Sequence, residues 1–507
     1  MLKPATRGSV WLLVLSVASA QQSLATHSSG AHRCRKLAKL GRFENTTIIS
    51  STYVVGNSTV QPWGTCSMGP VAVTAPLCRV RFSVKTSKAS EANAEAWLPD
   101  EWYGRFLAIG NGGLGGCIDY TYLNYGSSFH FATFASNHGH DGDQGQSFYK
   151  QPEVLHDYTG RSVHAVSVVG KQIVKAYYSK PHMKSYFIGC SAGGRQGTYS
   201  ALHWPEDFDG IIAAAPGTNF NIFLGSLGLL SVNTGAPEGN TSESFVPKTL
   251  WATVRAEIIK QCDGLDGVKD GVLDDPDACK VQFEALSCSN KAKADSDCLT
   301  EVQLEALLYP GYSLGSDATV IFDAMFAGDV VWLAKDWWKY VVYEDPDYDF
   351  TGFGLDDILA AEALDPSQIS TFSGEFSEFA ARGGKFLSYH GTHDNIIPPG
   401  SAQRAYDLAV DTMGSTFVEE FYRLFMVPGM DHCGTPWSEV PFMIGHYLPL
   451  PPTNASSHNI LLALVDWVEG DNVPDTVIGT SSSGEERLLC KHPLRSVWTG
   501  SQYVCQA

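Results

Sequence analysis

No stretch of the chain holds the ~20 consecutive apolar residues that a membrane-spanning helix needs. Nor is there a low-complexity tract or an internal repeat, which excludes solenoids, propellers and arrays. Basic residues are scarce: 35 Lys and Arg face 54 Asp and Glu, a formal charge of −19. That balance favours solubility and argues against nucleic acid or an anionic membrane as a partner. Cysteine, by contrast, is plentiful. Twelve of them, an even number, fit an oxidising compartment.

The first twenty residues read as an export signal. Lys3 and Arg7 make a basic start, Trp11-Leu12-Leu13-Val14-Leu15 lies in a short apolar core, and Ala18-Ser19-Ala20 is a small-residue cleavage site. Gln21 is the expected mature N-terminus of a secreted, extracellular protein, and an uncleaved anchor is the alternative. Loss of Lys3 and Arg7 takes the charge of −19 to about −21. Four sequons, at Asn45, Asn57, Asn240 and Asn454, predict a glycosylated surface.

From about Leu77 the chain reads as β-rich, through Cys78–Val84, Ala94–Pro99 and the buried-strand run Arg105–Ile109. Apolar residues at Val163, Val166, Val169, Ile173, Val174 and Tyr177 predict a helix over Ser162–Tyr178. Strand Lys184–Gly189, a turn at Ser191, a helix toward Trp204 and strand Asp209–Pro216 follow. This alternation predicts an α/β fold, a mainly parallel sheet with helices on both faces. The rhythm breaks over 217–380 and resumes at Gly384. Residues 21–216 and 381–507 therefore read as the catalytic domain, and 217–380 as an inserted lid over the carboxyl edge of the sheet. Its aromatics Trp332, Trp337, Trp338 and Tyr340 are candidates for an acyl pocket, or ordinary core of the lid.

Gly189-Cys190-Ser191-Ala192-Gly193 is a G-x-S-x-G motif between an apolar strand and a helix, the context of a nucleophile elbow in an α/β-hydrolase. Ser191 is the candidate nucleophile, and the Ala192 amide points to an oxyanion hole. The acid should follow the serine and precede the histidine. Asp394, in the loop after an apolar strand, and His432, 38 residues later, satisfy that order. Asp407 and Asp431 are competing acids; His390 and His393 are competing bases but precede Asp394. Cys190 and Cys433 adjoin the serine and the histidine, and a disulfide between them would clamp nucleophile to base.

Gly110-Asn111-Gly112-Gly113-Leu114-Gly115 fits a dinucleotide fingerprint, but another glycine and Cys117 follow instead of a helix. A backbone amide of Gly112 or Gly113 is better read as the second oxyanion donor. The Asn137–Asp143 stretch, with His138 and His140, reads as a hydrogen-bonded loop rather than a metal site. Cys262–Cys279 encloses an acidic loop with Asp263, Asp266, Asp270, Asp274 and Asp275 among glycines. Such a loop suits a hard cation such as Ca²⁺, though not at EF-hand spacing, and a solvated acidic loop is the alternative.

Together, Gly189–Gly197, Asp431-His432-Cys433, Asn111–Leu114 and the acidic loop resemble the fungal tannase and type B feruloyl esterase family over nearly the whole mature chain. The resemblance implies an α/β-hydrolase core, a lid, and structural calcium in the lid, held by Asp263, Asp266 and Asp270 and the carbonyls of Val268 and Val272. No organic cofactor is expected. The ion would lie far from the serine in sequence and be unnecessary to acyl transfer. It also implies the disulfides Cys34–Cys78, Cys66–Cys117, Cys190–Cys433, Cys262–Cys279, Cys288–Cys298 and Cys490–Cys505. The expected function is a secreted serine carboxylesterase that releases ferulic or a related hydroxycinnamic acid from plant cell-wall polysaccharide esters. Tannase activity on galloyl esters is the alternative, and a catalytically silent binding protein of the same fold is the reading from another class.

Overall fold

The structure, a computed structural model, describes residues 29–37, 43–64, 66, 69–289, 298–307, 314, 328–434, 442–445 and 454–507. The expected signal segment 1–20 lies outside the described residues. Among those described, no helix is long and apolar enough to cross a membrane.

A nine-stranded sheet organises the described residues. Its strands are β1 (Thr46–Val54), β2 (Leu77–Lys85), β3 (Glu91–Pro99), β4 (Arg105–Ile109), β5 (Ala132–Ser136), β6 (Lys184–Cys190), β7 (Gly210–Ala214), β8 (Lys385–Gly391) and β9 (Tyr422–Val427). The spatial order is β1-β2-β3-β5-β4-β6-β7-β8-β9. From β5 through β4 to β9 every neighbouring pair is parallel, while β1–β2, β2–β3 and β3–β5 are antiparallel.

The parallel strands are the ones the sequence marks most clearly, because both of their faces are covered. β7 is buried throughout, and β6 and β8 are buried after their first residue. Helix α1 (Ser162–Tyr178) packs the six predicted apolar side chains against one face. Helix α2 (Ala192–His203) follows β6. Separate apolar clusters fill the two sides of the sheet, at about 1.5–3 kcal/mol for each fully buried large aliphatic side chain.

The described parts of 217–380 hold helices joined by loops, including α3 (Phe220–Asn233), α4 (Lys248–Cys262) and α5 (Trp332–Trp337). Their apolar faces form a third cluster. That cluster also takes in Leu114, Tyr158, Ala192, Ile396 and Ile397, so its packing continues into the loops at the carboxyl edge of the sheet. Helix α6 (Gly400–Met413) follows that edge, and α7 (Ile460–Gly470) covers the sheet from the other side.

Candidate active site

Ser191 stands between β6 and α2 at φ +62° and ψ −123°, a left-handed conformation that costs a non-glycine residue about 1–3 kcal/mol. Its neighbours hold it there. The Ser191 amide donates to Ala214 O at 3.0 Å, and Ser191 O accepts from Arg195 N at 3.0 Å and Gly217 N at 3.3 Å. Glycines make the turn possible by letting backbone meet backbone. A Cβ at Gly189 would lie 2.7 Å from the Gly193 carbonyl, one at Gly193 would lie 2.7 Å from Asn111 O, and one at Gly110 would lie 2.7 Å from Gly193 Cα. The turn and the glycine-rich loop after β4 therefore touch directly. Ala192 opens α2, where a helix leaves its first amides unspent and partly positive.

The loop after β4 is braced from beneath. Gly113 O accepts from the Tyr158 hydroxyl at 2.5 Å, and Gly112 O from Gly115 N at 3.1 Å. The Gln196 amide group donates to Asn111 Oδ1, His138 Nδ1 and Tyr158 O. Sequence reasoning missed Tyr158 and Gln196; the signal available for Gln196 was its place five residues after the serine. The Asn137–Asp143 stretch is hydrogen-bonded as expected: Asn137 Oδ1 accepts from Asn93 N, and His140 Nε2 pairs with Leu114 O at 2.9 Å. Burial pushes His138 down to about 3, so it is a neutral acceptor.

Asp394 lies in the loop after β8, fully buried. Its Oδ2 accepts from His432 Nδ1 at 2.8 Å and from His390 Nε2 at 3.0 Å, while Oδ1 accepts from the amides of Ile396 and Ile397 at 2.9 Å each. Burial alone would raise this carboxyl, but the charge of His432 and the two imidazole hydrogen bonds hold it well below the usual carboxylate range. Burial pulls His432 down in turn, and the Asp394 charge and hydrogen bond more than reverse it, so the imidazole titrates above its ordinary value. Cys190 and Cys433 form a disulfide with Cα atoms 5.9 Å apart, which tethers the serine turn to the histidine turn.

The competing residues make other contacts. Asp407 is exposed on α6, near His492. The Asp431 backbone packs over Gly391. His393 accepts from Leu273 N at 3.2 Å, and burial pushes it down to about 4. His390 is the surprise: it is a second hydrogen-bond partner of Asp394.

Of the four aromatics of the insertion, Trp337 and Trp338 are core, their indoles donating to Asn221 Oδ1 and Asp357 O. Trp332 is only partly buried, and a Cβ at Gly113 would lie 3.3 Å from its ring. Helix α5 is pinned there, because Gly145 N donates to Asp336 at 2.8 Å.

In the acidic loop, Asp263, Asp266 and Asp270 accept from the amides of Gly271, Val268 and Val272. Gly267 and Gly271 turn the chain at φ +89° and +79°, which larger residues rarely adopt. Buried Arg487 pairs with Asp274 and lies 3.6 Å from both Asp266 and Asp270, its guanidinium facing the rings of Phe442 and Tyr503. Buried oxygens of Asp266 and Asp274 have no hydrogen-bond donor. Among the described residues no three His, Cys, Asp or Glu side chains converge as ready metal ligands. The donor set is nonetheless all oxygen, with unsatisfied carboxylate atoms, and so suits a hard cation in its chemistry. Distant in sequence, this loop is close in space to the acid: Thr392 donates to Leu273 O at 3.0 Å and accepts from Gly429 N at 2.9 Å.

Six disulfides are present, Cys34–Cys78, Cys66–Cys117, Cys190–Cys433, Cys262–Cys279, Cys288–Cys298 and Cys490–Cys505, the pairs that the resemblance implies. The four sequon asparagines are exposed.

Comparison with known proteins agrees with this architecture. The family described as tannase and feruloyl esterase matches residues 78–337 and 360–507. A probable feruloyl esterase B-1 of Aspergillus fumigatus is 38% identical over 520 aligned positions, covering 97% of each chain. The crystal structure of feruloyl esterase B from Aspergillus oryzae superposes with a TM-score of 0.89 at 36% identity, over 94% of this chain and 100% of that one. A tannin acyl hydrolase from Aspergillus niger shares the fold, with a TM-score of 0.74 at 19% identity over 94% of this chain and 96% of that one. With its elbow, acid loop and histidine turn gathered at one sheet edge, this chain belongs to the tannase and feruloyl esterase family.

Proposed function

We propose that the chain is a serine carboxylesterase of feruloyl type, working through an acyl-enzyme. The observation that carries this reading is the Asp394–His432 hydrogen bond beside a disulfide that ties His432 to the Ser191 turn. Ser191 Oγ attacks the ester carbonyl and passes its proton to His432 Nε2. Asp394, accepting from Nδ1, fixes that tautomer and stabilises the imidazolium. The oxyanion is held by the Ala192 amide and by one from Gly112 or Gly113, each such donor being worth roughly 3 kcal/mol in the transition state. His432 then protonates the departing alcohol, and water, deprotonated by the same imidazole, releases the acid and frees Ser191.

A hydroxycinnamoyl group is favoured as the acyl part because the relatives named feruloyl esterases are 36–38% identical, against 19% for the tannin acyl hydrolase. The leaving group is a sugar of plant cell-wall polysaccharide. Residues 217–380 act as the lid, and the Trp332 ring of that insertion borders the glycine-rich loop at Gly113. Calcium belongs to the acidic loop, held by Asp263, Asp266, Asp270 and the carbonyls of Val268 and Val272. Its charge offsets crowded carboxylates and fixes the loop. Secretion after removal of residues 1–20 and glycosylation at Asn45, Asn57, Asn240 and Asn454 complete the reading.

The test is hydrolysis of methyl ferulate against methyl gallate by the purified protein, with Ser191→Ala as control. Ferulate turnover that Ser191→Ala abolishes is expected. Preference for gallate would make the protein a tannase, and activity unchanged in Ser191→Ala would overturn the serine mechanism.

A further inference from the structure

The proposed mechanism uses one imidazole, yet the carboxylate that serves it accepts from two. His390, near the end of β8, is fully buried, and its Nε2 lies 2.9 Å from Ile397 O as well as 3.0 Å from Asp394 Oδ2. A carbonyl oxygen can only accept, so Nε2 carries the proton and shares it between Ile397 O and the carboxylate. Nδ1 has no hydrogen-bond partner and is shut off from water. Nε2–H is therefore the donor this ring offers to the site.

Oδ2 is thus shared by two N–H groups, His432 Nδ1 and His390 Nε2, while Oδ1 is taken by Ile396 and Ile397 amides. Ile397 is held twice, its amide on Asp394 and its carbonyl on His390. The turn closes on itself, which leaves the carboxylate one orientation. The other titratable or charged groups bearing on this cluster are Asp431 beside His432 and Arg255 behind His393.

We infer that His390 is a positioning residue of the catalytic acid: its Nε2–H fixes the rotamer of Asp394 and draws off part of the carboxylate's charge, which sets how strongly His432 holds its proton. The inference rests on the serine mechanism proposed above. Without that donor, Oδ2 would serve His432 alone, hold its proton more tightly, and leave it protonated at higher pH. Asp394 would also gain freedom to turn, and misplacement of a catalytic group costs turnover rather than substrate binding.

The experiment compares His390→Leu, which removes the donor, with His390→Gln, whose side-chain amide reaches the place of Nε2. For His390→Leu, kcat on methyl ferulate should fall roughly tenfold or more with KM within about twofold, and the acid limb of the pH profile should move upward by about half a pH unit. His390→Gln should recover most of kcat and the original limb. Where His390→Leu does not fold, His390→Asn, too short to reach, replaces it in the comparison. Histidine-ring NMR of the same changes in a Ser191→Ala background reads the His432 titration without turnover, so the inference is tested even if the esterase reading fails. A folded donor-free variant with an unmoved His432 titration and unchanged kcat overturns it. So does equal impairment of the donor-keeping and donor-free variants.

Discussion

Asp394 and Asp274 lie on two loops joined at Leu273, whose amide donates to His393 and whose carbonyl accepts from Thr392, yet their environments act in opposite directions. Asp394 collects two imidazole and two amide donors and is held far below its ordinary range. Burial pushes Asp274 up to about 7, with Asp266 and Asp270 adding to the effect and Arg487 opposing it. The charge of a buried aspartate follows the donors arranged around it, not its depth. One carboxylate is surrounded by donors that keep it charged, and the other sits among like charges that Arg487 opposes.

If that contrast is right, the two sites should fail in different ways. Asp394→Asn should cost kcat about 10⁴-fold but stability only about 1–3 kcal/mol, because the histidine loses its tautomer while a buried amide meets donors it cannot accept from. Esterase assays beside denaturant unfolding read both quantities. Arg487→Met should do the reverse. Leaving three neighbouring carboxylates without their counter-charge should cost about 3–5 kcal/mol in denaturant unfolding, with kcat of the folded fraction kept. Loss of activity without loss of stability in that variant would erase the contrast.

Chelation of calcium is expected to act on the same side as Arg487. Binding at a hundredfold excess over Kd contributes about 2.7 kcal/mol, so a chelator should lower the thermal midpoint and added calcium should restore it. Thr392→Val probes the join between the sites. It strips partners from Leu273 O and Gly429 N, which should cost about 1–3 kcal/mol and, unlike Arg487→Met, also lower kcat, because the acid loop loses its anchor.

The smallest effect concerns pH. His432 must be neutral to accept the serine proton, and its folded value is raised, so activity should fall as pH drops through a point above ~6.5. Its contribution to stability runs the other way, present below ~6.5 and lost as pH rises through the folded value. Rate and unfolding profiles on one sample test that opposition, and parallel profiles would contradict it.

The parallel strands, α1 and the elbow were legible because doubly covered strands are continuous apolar runs and the motif sits between them. β1 was not legible, since an edge strand reading Thr-Thr-Ile-Ile-Ser-Ser-Thr-Tyr-Val carries little apolar signal, and a register shift interrupts it between Ile48 and Ser50. At the site, chain order selected Asp394 and His432. The same rule set His390 aside as a base without asking whether it could serve the acid. Arg487 was invisible for a different reason: it is 213 residues from Asp274, and only the folded chain brings them together. Trp337 and Trp338 could not be told from pocket residues by type, because an indole suits either place.

The contact of glycine with backbone at the serine turn has a practical meaning for anyone diversifying this enzyme. A methyl group at Gly110, Gly189 or Gly193 would collide with main chain, and main chain cannot step aside as a side chain can. Libraries should leave these positions alone; at Gly113 the neighbouring atoms belong instead to the Trp332 and Leu333 side chains. The serine turn is thus fixed where two backbones touch, while the neighbour of Gly113 is a side chain.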